Sequence, residues 1–235
     1  MMNMENAKEL LISLRDITVD YGEKPILENV DLDIFRGDFM AVSGPNGGGK
    51  TTLMRVMLKL LKPTSGQVEY FHDGESAKRL RIGYLPQKSM IDTHFPISVR
   101  QTILSGLQKG FLGRMPQDYE SRFDEVVRLT GTHDYLDRRI GALSGGQLQR
   151  TLLARAIISD PEVLFLDEPL SYVDKQFEHK IYSIMEELSG RSTIILVSHE
   201  MSVISRMANR HILVDHDVRQ CNHCTHIGVQ KSGEE

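Results

Sequence analysis

Residues 44–52 have the types and spacing needed to bind the phosphates of a nucleotide. Gly44-Pro-Asn-Gly-Gly-Gly-Lys50-Thr51 fits the pattern G-x-x-x-x-G-K-[ST] and lies between an apolar strand pattern and a helix pattern. Glycines let successive backbone N–H groups turn toward phosphates, and the start of the following helix favours an anion. Lys50 would reach the β- and γ-phosphates, and the Thr51 hydroxyl would bind Mg²⁺. The predicted nucleotide contacts are Gly44, Pro45, Asn46, Gly47, Gly48, Gly49, Lys50, Thr51 and Thr52.

Two adjacent acids follow a second apolar strand pattern. Val163 to Leu166 are apolar, and Asp167 and Glu168 come directly after them. Because neighbouring side chains at a strand end point to different sides, one carboxylate can hold the metal's hydration shell while the other faces the attacking water. We predict that Asp167 holds Mg²⁺ through water and that Glu168 is the general base. An acidic pair in this position is by itself more often the start of a solvated loop, so the prediction depends on the phosphate loop, residues 44–51.

The chain around these residues alternates between strand and helix patterns. Residues 1–45 have the alternation of half-buried antiparallel strands, with breaks at Tyr21-Gly22 and Arg36-Gly37. A capping-box pattern at Ser98 to Gln101 marks the start of a helix. Further strands are predicted at 39–42, 67–71, 81–85, 162–166, 193–197 and 212–215, and helices at 50–61, 102–107, 121–129, 146–159 and 175–188.

This order of elements predicts an α/β fold. We expect a phosphate-loop NTPase core with a mostly parallel sheet, formed by residues 10–87 and 148–215 and including an N-terminal antiparallel β lobe. An α-helical lobe is expected as an insertion at residues 88–147. The chain 1–235 is then one domain, with residues 216–235 as a tail.

Composition limits the classes of protein to which the chain can belong. It is 40% apolar and 26% charged, an ordinary globular composition that excludes disorder as the main state. The formal net charge of −4 provides no overall positive field, so we expect no nucleic-acid partner. The apolar runs are too short to cross a membrane, the start shows no secretory signal pattern, and the cysteines are not distributed as a disulfide framework. We therefore expect a cytoplasmic protein with reduced thiols.

A third motif gives the sequence a family resemblance. The segment Leu143-Ser-Gly-Gly-Gln147, here called the signature segment, together with the phosphate loop resembles the ATP-binding subunits of ABC transporters over about residues 10 to 215. The supporting motifs occur in the family's order. They are Tyr21 as the adenine-stacking aromatic, Gln87 in Leu-Pro-Gln, Ser171-Tyr-Val-Asp174, and His199 in Val-Ser-His.

The resemblance implies a role for each of these residues in ATP hydrolysis. Tyr21 would stack on the base, and Gln87 would ligate Mg²⁺ through its amide oxygen and report the γ-phosphate to the helical lobe. His199 would contact the γ-phosphate or order the attacking water. The implied catalytic set is therefore Glu168, His199, Lys50 and Gln87, and the implied metal ligands are Thr51, Gln87 and, through water, Asp167.

The resemblance also implies a homodimer that binds ATP between its subunits. In one chain the phosphate loop and the signature segment should lie on different lobes. In the family, the signature segment of one subunit closes over the ATP bound to the phosphate loop of the other. The residues implied to contact ATP in this way are Ser144, Gly145, Gly146 and Gln147.

The resemblance implies that ATP hydrolysis is coupled to transport by a separate membrane permease. Residues 88–98 are the expected docking segment, so the chain would lie peripherally on the cytoplasmic face of the cell membrane. The length does not fit the translation factors that carry two cassettes or the chromosome-condensation relatives that need a long coiled coil. A soluble iron–sulfur assembly ATPase of similar size remains an alternative.

Details of the motifs are most similar to the zinc- and manganese-uptake branch of the family. They include the run Leu143 to Arg150 and the Tyr-Val-Asp ending at Asp174. An extracellular or periplasmic metal-binding protein would belong to such a system. Gly48, where the family more usually has alanine, and Leu170-Ser-Tyr, where it often has Thr-Ala, depart from the wider consensus.

The tail contains soft metal ligands. Both cysteines lie in the last part of the chain in a Cys-x-x-Cys pattern with adjacent histidines, which could form a tetrahedral Zn²⁺ site. A polar terminus with chance ligands is the competing interpretation. The candidate ligands are Cys221, His223, Cys224 and His226.

Overall fold

A computed structural model describes residues 8–22, 24–107, 115–171, 173–198 and 201–221. Its strands are β1 (Leu10–Asp20), β2 (Pro25–Phe35), β3 (Phe39–Ser43), β4 (Ser65–His72), β5 (Glu75–Ala77), β6 (Ile82–Leu85), β7 (Val163–Asp167), β8 (Thr193–Val197), β9 (Arg210–Asp215) and β10 (Asp217–Gln220). Its helices are α1 (Lys50–Met57), α2 (Val99–Leu104), α3 (Tyr119–Thr130), α4 (Gly145–Ile157), α5 (Lys175–Ser189) and α6 (Met201–Met207). The predicted α/β fold is confirmed.

The first sheet is the predicted antiparallel lobe. Its order is β2-β1-β4-β5, and β1 pairs with β2 on one side and β4 on the other. Apolar residues of β1 and β2 are buried, and they share one core with α1 and with one face of the second sheet. The hydrophobic contact therefore fixes this lobe beside the start of α1.

The second sheet holds the predicted phosphate-binding and acidic residues. Its order is β10-β9-β3-β8-β7-β6, and every pair is parallel except β10 with β9. β7 and β8 are buried along their whole length because elements cover both faces. The carboxyl ends of β3 at Ser43 and β7 at Asp167 lie at one edge of the sheet, which is where ligands bind in open parallel sheets.

The described elements from α2 to α4, here called the helical segment, pack against the other face of this sheet. Helices α2, α3 and α4 contribute Val99, Phe123 and Leu148 to a core that also contains Leu164 and Leu166 of β7. The predicted capping box at the start of α2 is present, since the Ser98 hydroxyl accepts from Gln101 N and the Gln101 side chain accepts from Ser98 N. In the described ranges, no helix has the length and apolarity needed to cross a membrane.

Some element boundaries differ from the sequence prediction. α1 ends at Met57 rather than at residue 61 because Lys59 has a left-handed backbone, φ 55°, and Leu60 N and Leu61 N both donate to Arg55 O. This closure normally uses glycine, so the sequence carries no signal for it. The sequence prediction also missed β5, α6 and β10, which are short, and placed the end of β7 one residue too early.

Candidate nucleotide-binding site

The phosphate loop connects β3 to α1 and depends on glycine at its two ends. Gly44 has φ 144°, and a Cβ there would lie 2.0 Å from Val214 O. Gly49 has φ 102°, directly precedes α1, and gives the helix no side-chain cap. A larger residue would be strained at either position. The uncapped helix start thus faces the loop and favours an anion there.

Lys50 is folded into this loop. Its Nζ donates to Gly44 O at 2.9 Å and to Pro45 O at 2.8 Å, and the residue is buried. Burial lowers the pKa of Lys50, whereas the negative charges of Glu168 and Asp167 act in the opposite direction. Two neutral carbonyls are weaker partners for an ammonium than a phosphate, so a bound polyphosphate would compete well for this cation.

Asp167 lies at the end of β7 with only 1% of its surface exposed. Its Oδ2 accepts from the Thr51 hydroxyl at 3.4 Å, while its Oδ1 is buried without a hydrogen-bond partner among the described residues. Burial, and then the charge of Glu168, raises the pKa of Asp167 to about 6. A hydroxyl beside a carboxylate with one unpaired oxygen fits a hydrated Mg²⁺, since this ion binds oxygen ligands and keeps several waters.

Glu168 follows Asp167 with a left-handed backbone, φ 52°, which turns its side chain away from the alternation of the strand. Its Oε2 accepts from Gln87 Nε2 at 3.3 Å and from Ser171 Oγ at 3.3 Å. The backbone is held too, because Gln149 Nε2 on α4 donates to Glu168 O at 3.4 Å and to Pro169 O at 3.1 Å. The carboxylate predicted as general base is therefore oriented by polar partners from separate parts of the chain.

A cleft of about 310 Å³ brings most of the predicted nucleotide-binding residues together. Tyr21 in its lining is 63% exposed, so its ring is available for stacking, and the lining also includes Gln87 and Glu168. Ile26, an apolar wall residue, had no sequence signal. The lining is Tyr21, Ile26, Asn46, Gly47, Gly49, Lys50, Thr51, Thr52, Gln87 and Glu168.

A hairpin supports the phosphate loop from behind, and sequence reasoning missed it. The turn between β9 and β10 places His216 N 2.9 Å from Gly48 O. A Cβ at Gly48 would lie 2.7 Å from Val214 O of the same hairpin. Gly48, noted above as a departure from the family's alanine, therefore has a steric explanation in this chain. A prediction of β10 would have been needed to find it.

The signature segment forms the start of α4. Ser144 is exposed, its hydroxyl accepts from Gln147 N at 3.2 Å, and its N–H donates to the Gln147 side chain at 3.0 Å. This capping box leaves Gly145 and Gly146 half-buried in the first turn. In the described part of the chain, no residue of the signature segment lines the cleft.

The remaining predicted site residues are placed only in part. Asp174 caps α5 by accepting from Phe177 N at 2.8 Å and lies 3.2 Å from Arg150 of α4. Cys221 is half-buried, and its N–H donates to His211 O at 2.9 Å. His199, and the tail ligands His223, Cys224 and His226, lie outside the described residues. The zinc site of the tail stays a prediction.

Known proteins resemble the chain over most of its length. It is 36% identical to the zinc transport system ATP-binding protein TroB of Treponema pallidum, covering 89% of this chain and 80% of that protein. It is 36% identical to the high-affinity zinc uptake system ATP-binding protein ZnuC of Bacillus subtilis, covering 87% of this chain and 91% of that protein. The zinc import ATP-binding protein ZnuC of Pasteurella multocida is 35% identical, covering 92% and 78%.

Solved structures and a family pattern agree with these relatives. The dimeric structure of the bacterial ABC transporter cassette MJ0796 matches with a TM-score of 0.77 and 27% identity, covering 90% of this chain and 98% of that one. A post-hydrolysis dimer of the same cassette, bound to ADP and Pi, matches with a TM-score of 0.75 and 26% identity, again covering 90% of this chain and 98% of that one. The sequence model of the family described as ABC transporter matches residues 27–171. The chain therefore belongs to the ABC transporter family, as the signature segment indicated.

Proposed function

We propose that this chain is the ATP-hydrolysing subunit of a transporter that imports a divalent metal, zinc or manganese. The observation that carries the proposal is the grouping in one cleft of Lys50, Thr51 and Glu168, with the Glu168 carboxylate bonded to Gln87. Phosphate binding, metal binding and water activation all have a residue of suitable chemistry there.

The chain's own residues suggest how the reaction proceeds. The ammonium of Lys50 would leave its carbonyl partners for the β- and γ-phosphates, while Tyr21 stacks on the base. Thr51 and Gln87, with Asp167 through water, would hold Mg²⁺, which would neutralise charge developing on the transferred phosphoryl group. Glu168 would take a proton from the attacking water, and His199 would order that water or contact the γ-phosphate.

We propose a homodimer because the cleft is incomplete without a second chain. Ser144 is exposed at the start of a helix and lies outside the cleft lining. The two dimeric structures of a cassette that resembles this chain support a dimer, for which we propose a head-to-tail arrangement. In it, the signature segment of one subunit covers the ATP held by the phosphate loop of the other, and hydrolysis removes the charge that links them.

A permease is the expected membrane partner, and residues 88–98 are the proposed docking segment. Met90 and Phe95 are exposed there, at 36% and 60%, while Ile91 and Ile97 pack on the core. Exposed apolar side chains held by a packed segment suit a protein interface. Docking would place the chain on the cytoplasmic face of the membrane, and a metal-binding protein outside the membrane would deliver the substrate.

The metal is proposed from the relatives. The three relatives described above have zinc transport, uptake or import in their names, and they support a transporter over the soluble iron–sulfur assembly ATPase. The experiment is to co-express the chain with a candidate multi-span permease from the same genome. We expect the two to copurify and to take up ⁶⁵Zn²⁺ or ⁵⁴Mn²⁺ into vesicles with ATP. Copurification with a soluble scaffold and no metal uptake would support the alternative.

A further inference from the structure

A second side chain near Asp167, the proposed metal-binding acid, has no hydrogen-bond partner among the described residues. The Tyr84 hydroxyl on β6 is buried and unpartnered within the described ranges, as is Asp167 Oδ1 on β7. One of these groups is a donor and the other an acceptor. Each is costly to bury without a partner, so two complementary orphans in one region indicate a hydrogen bond made in another state of the protein.

Strand register places the two groups on the same face of the sheet. β6 and β7 are parallel neighbours with Tyr84 opposite Phe165, and Asp167 follows Phe165 by two residues. Because side chains alternate along a strand, Tyr84, Phe165 and Asp167 point to one side. Tyr84 and Phe165 pack in the core that contains Leu53 of α1, whereas Leu164 and Leu166 pack in the core on the opposite face.

Electrostatics supports the same placement. Burial raises the pKa of Tyr84 to about 12, and the negative charge of Asp167 adds to the rise. The positive charge of Arg55, one helical turn after Thr51 on α1, lowers the pKa of both Tyr84 and Asp167. The phenol therefore keeps its proton at neutral pH and remains a donor near a carboxylate oxygen that accepts no hydrogen bond from the described residues.

We propose that Tyr84 is a positioning residue for the metal site. When Mg·ATP is bound, the Tyr84 hydroxyl donates through one ordered water to Asp167 Oδ1. The two atoms make no direct hydrogen bond to each other, so a bridging water is the link that would satisfy both. The bond would orient the carboxylate toward the metal's hydration shell without touching ATP. The inference rests on the proposed function, because it requires that Asp167 serves a magnesium nucleotide.

The test is Tyr84→Phe, which removes only the hydroxyl. Binding of N-methylanthraniloyl-ATP is titrated at a series of Mg²⁺ concentrations and again in EDTA. We expect the Mg²⁺ concentration for half-maximal binding to rise about fivefold, as for one lost hydrogen bond, with affinity in EDTA unchanged. Mn²⁺ binding to the nucleotide complex, followed by EPR, should weaken by a similar factor.

The matched control is Tyr135→Phe, because Tyr135 also has a buried, unpartnered hydroxyl in the described structure but lies in the helical segment. It should leave the Mg²⁺ dependence unchanged. If Tyr84→Phe fails to fold, Tyr84→Leu, which also lacks the hydroxyl, should show the same rise. The proposal is wrong if the Tyr84 variant has the parent's Mg²⁺ dependence, or if the control shifts equally. If the parent itself does not bind Mg·ATP, the proposed function fails instead.

Discussion

The side-chain nitrogen Nε2 of Gln87 lies 3.3 Å from Oε2 of Glu168. Gln87 follows β6 and Glu168 follows β7, so this hydrogen bond joins the segments that leave two neighbouring strands. Gln87 is also the proposed metal ligand and γ-phosphate reporter. If the amide turns toward Mg²⁺ on nucleotide binding, Glu168 loses this donor, and its carboxylate can turn toward the attacking water. Nucleotide binding and activation of the base can thus be coupled through one side chain.

Glu168→Gln should retain ATP binding and lose at least 100-fold in turnover, because the amide keeps the side chain's shape and cannot take a proton from water. Phosphate release measures turnover, and gel filtration with ATP should show an accumulated dimer. Ser171→Ala is a useful comparison, since it removes one donor to the same carboxylate while leaving the base in place. Hydrolysis by Glu168→Gln at the parent rate would show that another group activates the water.

Gly48→Ala should weaken the contact between the phosphate loop and the β9–β10 hairpin. The added methyl would lie 2.7 Å from Val214 O, a backbone atom that cannot move aside alone. We expect a loss of about 1–3 kcal/mol in the free energy of unfolding, as for an overpacked site, together with weaker ATP binding. Chemical denaturation measures the first and nucleotide titration the second.

Gly190→Ala is the control for the methyl itself, since Glu187 O, at 3.7 Å, is the one atom of the described residues within 4 Å of a Cβ at this position. It should be neutral or slightly stabilising. If Gly48→Ala behaves in the same way as Gly190→Ala, the hairpin does not constrain the loop.

The case of Gly48 also illustrates how far the sequence could predict this molecule. The phosphate loop, the acids after β7 and the signature segment were recognisable because glycine spacing, buried apolar runs and helix caps are local patterns. The support from Val214 and His216 was not, since it arises where a short hairpin meets a loop far away in the sequence. The bond from Gln149 to Glu168 O was missed for the same reason, because a glutamine within a helix carries no mark of its partner.

Asp167→Asn should have opposite effects on the empty and the loaded protein. Burial raises the pKa of Asp167 to about 6, so its charged form opposes folding above that pH, and the penalty disappears as pH falls toward 3.8, its ordinary value. This rise in pKa corresponds to a loss of up to about 3 kcal/mol in the free energy of unfolding of the parent at high pH. Without nucleotide, the asparagine variant should therefore be more stable than the parent at pH 8, with a smaller difference at pH 5.

Denaturant unfolding at the two pH values measures this difference. With Mg·ATP present at pH 8 the order should reverse, since only the carboxylate attracts the hydrated metal. An asparagine variant that is less stable at pH 8 without nucleotide would show that the buried charge has a partner that compensates for it.

Ser144→Ala and Ser98→Ala form a matched pair, because both serines begin a helix with a complete capping box in which a glutamine is the third residue. Each substitution should cost about 1 kcal/mol in the free energy of unfolding through loss of the cap. Only Ser144 belongs to the signature segment, so only its variant should lose the ATP-dependent dimer and reduce hydrolysis. Light scattering with ATP in the Glu168→Gln background measures dimerisation, and denaturation shows whether the two caps are equivalent. If the Ser144 variant dimerises with ATP as well as the Ser98 variant and the parent do, Ser144 acts only as a helix cap. ATP must then be held at the interface by other residues.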